Sequence, residues 1–135
     1  MLDTSTVILL PRINDASALP LEPMITTVTL AELSVGPLVA RDDKQRAARQ
    51  AQLQQAESDF APLPLDAAAA RAFGRVAASL RGAGRKPAAR AYDALIAATA
   101  IANELPVYTA NPGDFAGIDD LDVVAVEPTA IDAEP

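Results

Sequence analysis

The chain has no histidine, no cysteine and no tryptophan among its 135 residues, and these absences remove much of the chemistry open to an enzyme. Without imidazole there is no Ser-His or Cys-His nucleophile and no histidine general base. Without thiols there is neither a disulfide framework nor a zinc-thiolate centre, a usage that fits a reducing compartment. Aromatic residues make up only 4 %, so platforms for stacking nucleic-acid bases are scarce. Long apolar runs are missing as well. The N-terminal run has no basic residue before Arg12 and stops at Pro11, and Ala94 to Ala102 falls well short of the ~20 residues a bilayer demands. The expectation is a soluble chain located in the cytoplasm, with no membrane partner. A phosphate-binding P-loop is absent too: Gly82-Ala83-Gly84-Arg85-Lys86 lacks the spacing, follows no strand and runs into Pro87.

What is present begins with an uneven charge. The net charge is −7, which argues against a nucleic-acid partner until its distribution is considered. Residues 1 to 113 hold eleven acids and eleven bases, whereas residues 114 to 135 hold seven acids and no base. Arg71, Arg75, Arg81, Arg85, Lys86 and Arg90 follow one another with no acid between Asp66 and Asp93. Such a stretch is either a solvated helix face or a phosphate-binding surface.

Half of the residues are hydrophobic, enough for a core in one domain of this length. Thr6 to Leu10 fits strand or helix on periodicity alone. Met24 to Thr27 is a short β-prone run, and Val28 to Val39 carries a helical stripe interrupted near Gly36-Pro37. The spacing predicts helices over Asp42 to Phe60, from a cap at Asp66 to Gly82, and over Ala91 to Asn103. Short strands are predicted at Phe60 to Leu65, broken by Pro62 and Pro64, at Leu105 to Thr109 and at Leu121 to Val126. This alternation predicts an α/β fold, a mainly parallel sheet covered by helices on both faces. One domain is expected over residues 1 to 126, with Glu127 to Pro135 a disordered tail.

Four carboxylates, Asp3, Glu32, Asp93 and Asp114, each lie where an apolar segment meets a turn or a helix start. Singly, each has an ordinary role: Asp3 and Asp93 as helix caps, Glu32 as the far end of a Thr29-Leu30-Ala31-Glu32 capping box, Asp114 as a turn residue. Together they fall at the carboxyl ends of the predicted strands, the rim at which open α/β sheets bind ligands. Several acids at one rim without histidine call for hard divalent cations, Mg²⁺ or Mn²⁺, whose hydrolytic use is phosphoryl chemistry.

Four blocks carry a family resemblance: Leu2-Asp3-Thr4-Ser5-Thr6-Val7-Ile8, Val28-Thr29-Leu30-Ala31-Glu32-Leu33-Ser34-Val35-Gly36, Tyr92-Asp93-Ala94-Leu95-Ile96-Ala97-Ala98-Thr99-Ala100 and Tyr108-Thr109-Ala110-Asn111-Pro112-Gly113-Asp114-Phe115. In this order they resemble the signature blocks of PIN-domain ribonucleases, above all the VapC toxins of type II toxin-antitoxin systems. The resemblance implies a three-layer α/β/α domain with a central sheet of four to five strands, and a Mg²⁺- or Mn²⁺-dependent endoribonuclease held inactive by a VapB-like antitoxin. It implies Asp3 and Asp93 as central metal ligands. Glu32 would complete the ligand set or position a water, and Asp114 would bind a second metal or act through water. Ser5, Thr109 and Asn111 align with polar positions that support the acids. A homodimer or a toxin-antitoxin hetero-oligomer is implied, the antitoxin lying between Val28 to Val39 and Asp42 to Phe60. Only Met1 and Leu2 precede Asp3 where the family has a longer first strand, and Ala110 stands where an arginine is common. Arg85, Lys86 and Arg90 are the candidates to replace that arginine at RNA. Two other readings share these residues: a catalytically weak PIN-like binding module, and a housekeeping PIN nuclease outside toxin-antitoxin systems.

Overall fold

Aspartates start three of the five α-helices among the described residues. In the computed structural model of the chain, which describes residues 1–128, Asp3, Asp42 and Asp66 are the N-caps of α1 (Thr4–Leu9), α3 (Asp43–Asp59) and α4 (Ala67–Gly82). Each accepts a hydrogen bond from a first-turn amide, satisfying a donor that the helix itself leaves open. The Thr26 hydroxyl caps α2 (Thr27–Val35) in the same way through the Thr29 amide. The capping box expected at Thr29 to Glu32 therefore does not form: the cap lies one turn earlier, and Glu32 is free to point elsewhere. Pro37 ends the α ladder of α2, which tightens into a 3-10 turn, Gly36–Val39. A second 3-10 turn, Pro87–Arg90, leads into α5 (Ala91–Ala102), whose N-cap is Arg90 with no side-chain cap. Asp93 is thus not a cap but a first-turn residue of α5.

Two strands form among the described residues, β1 (Val107–Thr109) and β2 (Val123–Ala125), paired in parallel with Val107 opposite Val123. Against the expected four to five strands, parallel pairing continues only as isolated bridges, Leu2 with Tyr108 and Thr26 with Leu63. Leu63 lies between Pro62 and Pro64, which have no N–H to donate, so its pairing cannot spread along the chain. Leu2 is followed at once by the turn into α1. One further bond, from the Leu2 amide to the Met24 carbonyl, ties the segment before α1 to the segment before α2. The tail expected at Glu127 to Pro135 lies outside the described residues from position 129 onward.

Side chains alternate across these extended segments, and the alternation divides the core. Met1 and Val107 pack with Val76 and Leu80 of α4 and Ile96 and Ala100 of α5, whereas Leu2 joins Val7, Ile25, Leu33 and Ala56 of the α1–α3 side. Helices therefore cover both faces of the extended layer. α4 packs along α5 in a cluster that holds the fully buried alanines Ala72 on one helix and Ala94, Ala97 and Ala98 on the other, and small side chains let helices approach closely.

Phe115, 1 % exposed, ends the 3-10 turn Pro112–Phe115 and fixes the loop after β1 to the α4–α5 side of the core. Gly117 follows with φ +87°, and a Cβ there would stand 3.0 Å from that of Ala83, so only glycine lets this loop close against the end of α4. Phe115→Ala is expected to cost about 3–5 kcal/mol in a urea titration, more than truncation of an exposed residue by a wide margin.

Candidate active site

The carboxyl ends of the paired segments bring Asp3, Thr26 and Thr109 to one rim, and the start of α5 adds Asp93. Asp3 is 3 % exposed, and both of its oxygens are engaged. Oδ1 accepts from the Thr6 amide at 2.9 Å, the Thr6 hydroxyl at 2.8 Å and the Ser5 hydroxyl at 2.9 Å. Oδ2 accepts from the Thr109 hydroxyl at 2.6 Å and the Ser5 hydroxyl at 3.0 Å. Ser5 divides one proton between the two oxygens of Asp3, so it can donate fully to only one of them at a time. The cap role and the site role of Asp3 coincide: the bond that starts α1 also fixes the orientation of the carboxylate.

Glu32 is held by a hydroxyl relay. Its Oε1 accepts from the Thr4 hydroxyl at 2.6 Å, and that hydroxyl stands 3.0 Å from the hydroxyl of Thr29. With the Thr4 proton committed to Glu32, Thr29 is the donor in the second contact. Asp114, in the 3-10 turn after β1, pairs with Arg90 at 2.6 Å. Both partners are more than a third exposed, so the pair contributes about 0–1 kcal/mol to stability and opens readily.

Asp93 reports on all of them. Its carboxyl is pushed up from 3.8 to about 6, first by burial and then by the negative charges of Asp114, Asp3 and Glu32, with Arg90 opposing. Four acids and one arginine thus share one electrostatic neighbourhood. Among the described residues, no three acidic side chains close into a ligand cage. Asp3 turns to hydroxyls, Glu32 to Thr4 and Asp114 to Arg90, while the repulsion on Asp93 is only partly offset by Arg90. An all-oxygen donor set with excess negative charge and labile partners fits Mg²⁺ or Mn²⁺.

The other residues singled out in the sequence separate clearly. Ser5 and Thr109 contact Asp3 directly. Asn111 supports the loop by its backbone, its amide donating to the Thr109 hydroxyl and its carbonyl accepting from the Asp114 amide; its side chain has no hydrogen bond among the described residues. Arg85 donates to the carbonyls of Gly113 at 3.2 Å and Ala116 at 3.0 Å, bracing the Asp114 turn rather than facing the acids. Lys86 is exposed and without an ion pair among the described residues. Of the three, Arg90 alone reaches the acids.

This arrangement has known counterparts. The PIN domain profile matches residues 1–121. Ribonuclease VapC5 of Mycobacterium tuberculosis is 40 % identical over 121 residues, 88 % of this chain and 87 % of that protein. The chain is a PIN-domain protein of the VapC type. Among solved structures, a member of the VapBC family of toxin-antitoxin systems, VapBC-5 from Mycobacterium tuberculosis, superimposes with a TM-score of 0.79 at 38 % identity, covering 93 % of this chain and 96 % of that one. DNA-bound VapBC from Salmonella typhimurium gives a TM-score of 0.73 at 27 % identity, covering 91 % and 94 %.

In this PIN domain, sequence reasoning passed over Thr4 and Thr6. Both sit in Asp3-Thr4-Ser5-Thr6, and three consecutive hydroxyls after a capping aspartate are the signal that could have found them. Only the fold shows that Thr4 serves Glu32 and that Thr6 also reaches the Tyr108 carbonyl at 2.9 Å.

The state of Asp93 has a consequence for stability. Its folded-state value lies above the unfolded one, so its contribution is fully present below 3.8 and is lost as pH rises through about 6. Without divalent cations, Asp93→Asn is therefore expected to unfold at a higher urea concentration than wild type at about pH 7, the gap closing at about pH 4. Added Mg²⁺ should raise the wild-type midpoint and leave that of Asp93→Asn nearly unmoved.

Proposed function

We propose that the chain is a metal-dependent endoribonuclease, the toxin of a VapBC-type pair, which hydrolyses RNA phosphodiester bonds with Mg²⁺ or Mn²⁺. The observation that carries this reading is the repulsion focused on Asp93 by Asp3, Glu32 and Asp114 at the carboxyl rim, the only strongly raised carboxylate among the described residues. It is supported by the likeness to ribonuclease VapC5 and to VapBC complexes. Bound Mg²⁺ or Mn²⁺ supplies Lewis acidity, activating water at neutral pH and neutralising charge on the phosphate.

The chain's residues do the positioning. Asp3, locked by Ser5, Thr6 and Thr109, and Asp93 are assigned as the central ligands. Glu32, oriented by Thr4, completes the ligand set or aligns a water, and Asp114 serves a second cation or acts through water. Arg90 takes the place that Ala110 leaves without charge. In the free protein it pairs with Asp114, and with RNA present it exchanges that carboxylate for a phosphate oxygen, a charge-assisted contact. Arg85 keeps the Asp114 turn in place, and Lys86 remains available for backbone contacts along the strand.

The proposed partner is a VapB-like antitoxin, in a hetero-oligomer or beside a homodimer, in the cytoplasm. Leu38 and Val39 stand exposed in the 3-10 turn after α2, and Val7, Leu10, Ala48, Ala56 and Phe60 line an open groove of about 370 Å³ between α1 and α3. An amphipathic helix from such a partner fits apolar surface of this kind. No helix among the described residues is long and apolar enough to cross a membrane.

RNA cleavage by the purified protein is expected to stop with EDTA and return with Mn²⁺. Asp93→Asn should lower kcat by about a hundredfold or more with the fold retained. Cleavage that survives EDTA contradicts the mechanism. Arg90→Ala should raise KM by about tenfold and reduce the salt slope of RNA binding by about one. An unchanged salt slope would remove Arg90 from the phosphate.

A further inference from the structure

Tyr92 precedes Asp93 on α5 and is 62 % exposed, whereas Phe115 is buried and Tyr108 packs against the α1–α3 core. The Tyr92 hydroxyl has no hydrogen-bond partner among the described residues, so neither packing nor hydrogen bonding explains the ring's position. Two cavities meet there. One, of about 400 Å³, is lined by Glu32, Arg90, Asp93 and Tyr92 among others. The second, of about 310 Å³, is lined by Ala31, Glu32, Val35 and Tyr92. They share Glu32 and Tyr92, so the polar rim passes directly into a mainly apolar cleft. Ala31 and Val35 lie four residues apart on α2 and present one face, and Val35 is 51 % exposed.

We propose that the cleft between Tyr92 and Val35 is a nucleobase subsite, in which the base beside the scissile phosphate stacks on the Tyr92 ring. The proposal rests on the ribonuclease reading of the neighbouring acids. The phosphate that reaches Asp93 and Arg90 carries a nucleoside one ribose away, and the adjoining cavity offers that nucleoside an aromatic face and an aliphatic wall. Stacking of this kind accepts every base, since each has a π face, so the subsite supplies affinity and register more than sequence discrimination. In a chain with 4 % aromatic residues, an exposed ring beside the reacting centre is the one platform the fold provides there.

The test uses a single-stranded RNA oligonucleotide spanning a mapped cut, together with versions carrying an abasic nucleotide on either side of it. Tyr92→Ala should raise KM roughly 5- to 100-fold with kcat within about twofold, and Tyr92→Phe, which keeps the ring, should stay within about twofold of wild type in both. An abasic site on one flank should cost wild type the same factor and cost Tyr92→Ala nothing further. A thermal midpoint equal to that of wild type confirms that Tyr92→Ala folds, as expected for an exposed side chain. An unchanged KM in Tyr92→Ala overturns the proposal and leaves the cleft to an apolar side chain of a protein partner. Equal losses in Tyr92→Phe and Tyr92→Ala overturn it too, because the hydroxyl and not the ring would then be at work. Wild-type protein that cuts no RNA overturns the ribonuclease reading and the subsite with it, whereas normal kinetics in Tyr92→Ala remove the subsite alone.

Discussion

The buried carboxylate of Asp3 and the hydroxyls that hold it are the constraint on which the rim depends. A carboxylate at 3 % exposure is costly unless its oxygens are satisfied, and here they are satisfied by donors from two separate parts of the chain. Ser5 and Thr6 come from the start of α1, and Thr109 arrives from the end of β1, 106 positions away. The same contact joins segments already aligned by the bridge between Leu2 and Tyr108. Hydrogen bonding therefore couples the placement of one functional group to the pairing at the centre of the fold. A site supported in this way is held by strand and helix ends rather than by a mobile loop.

Around that fixed point the remaining acids are arranged in a way that works against stability. Burial and three neighbouring carboxylates oppose the charge of Asp93, and Arg90 offsets only part of the repulsion. Such a cluster costs stability in the free protein, and on the proposed reading a bound cation would relieve it. Arg90 has a double position in this balance. Its guanidinium neutralises Asp114 in the free protein, and the pairing is exposed enough to be exchanged for a phosphate without a large penalty.

Some of this was legible in the residues and some was not. The cap at Asp66 and the helix beginning at Asp42 were readable because each aspartate precedes a run of strong helix formers. The β1 region and the buried alanine-rich α5 were readable from the composition of their own segments. The capping-box role open to Glu32 failed because Thr26 and Thr29 are both credible caps, and the choice between them turns on the extended backbone at Thr26. Its actual partner, Thr4, lies 28 positions away, beyond any local pattern. The single-residue bridge at Leu63 and the brevity of β1 and β2 reflect proline placement and packing that periodicity overstates as longer strands. Arg85, Lys86 and Arg90 look equivalent in a basic stretch. The 3-10 turn at Pro87–Arg90 separates them, sending Arg90 to the acids and leaving Arg85 on the carbonyls of the Asp114 turn.

The central claim is that Asp3 and Asp93 bind one divalent cation at the carboxyl rim. It is tested most directly by an anomalous difference map from crystals soaked in Mn²⁺. The account predicts a peak about 2.1 Å from a carboxylate oxygen of each, with the Ser5 hydroxyl displaced from at least one oxygen of Asp3. A peak elsewhere on the surface, or none at a Mn²⁺ concentration that supports RNA cleavage, would contradict it.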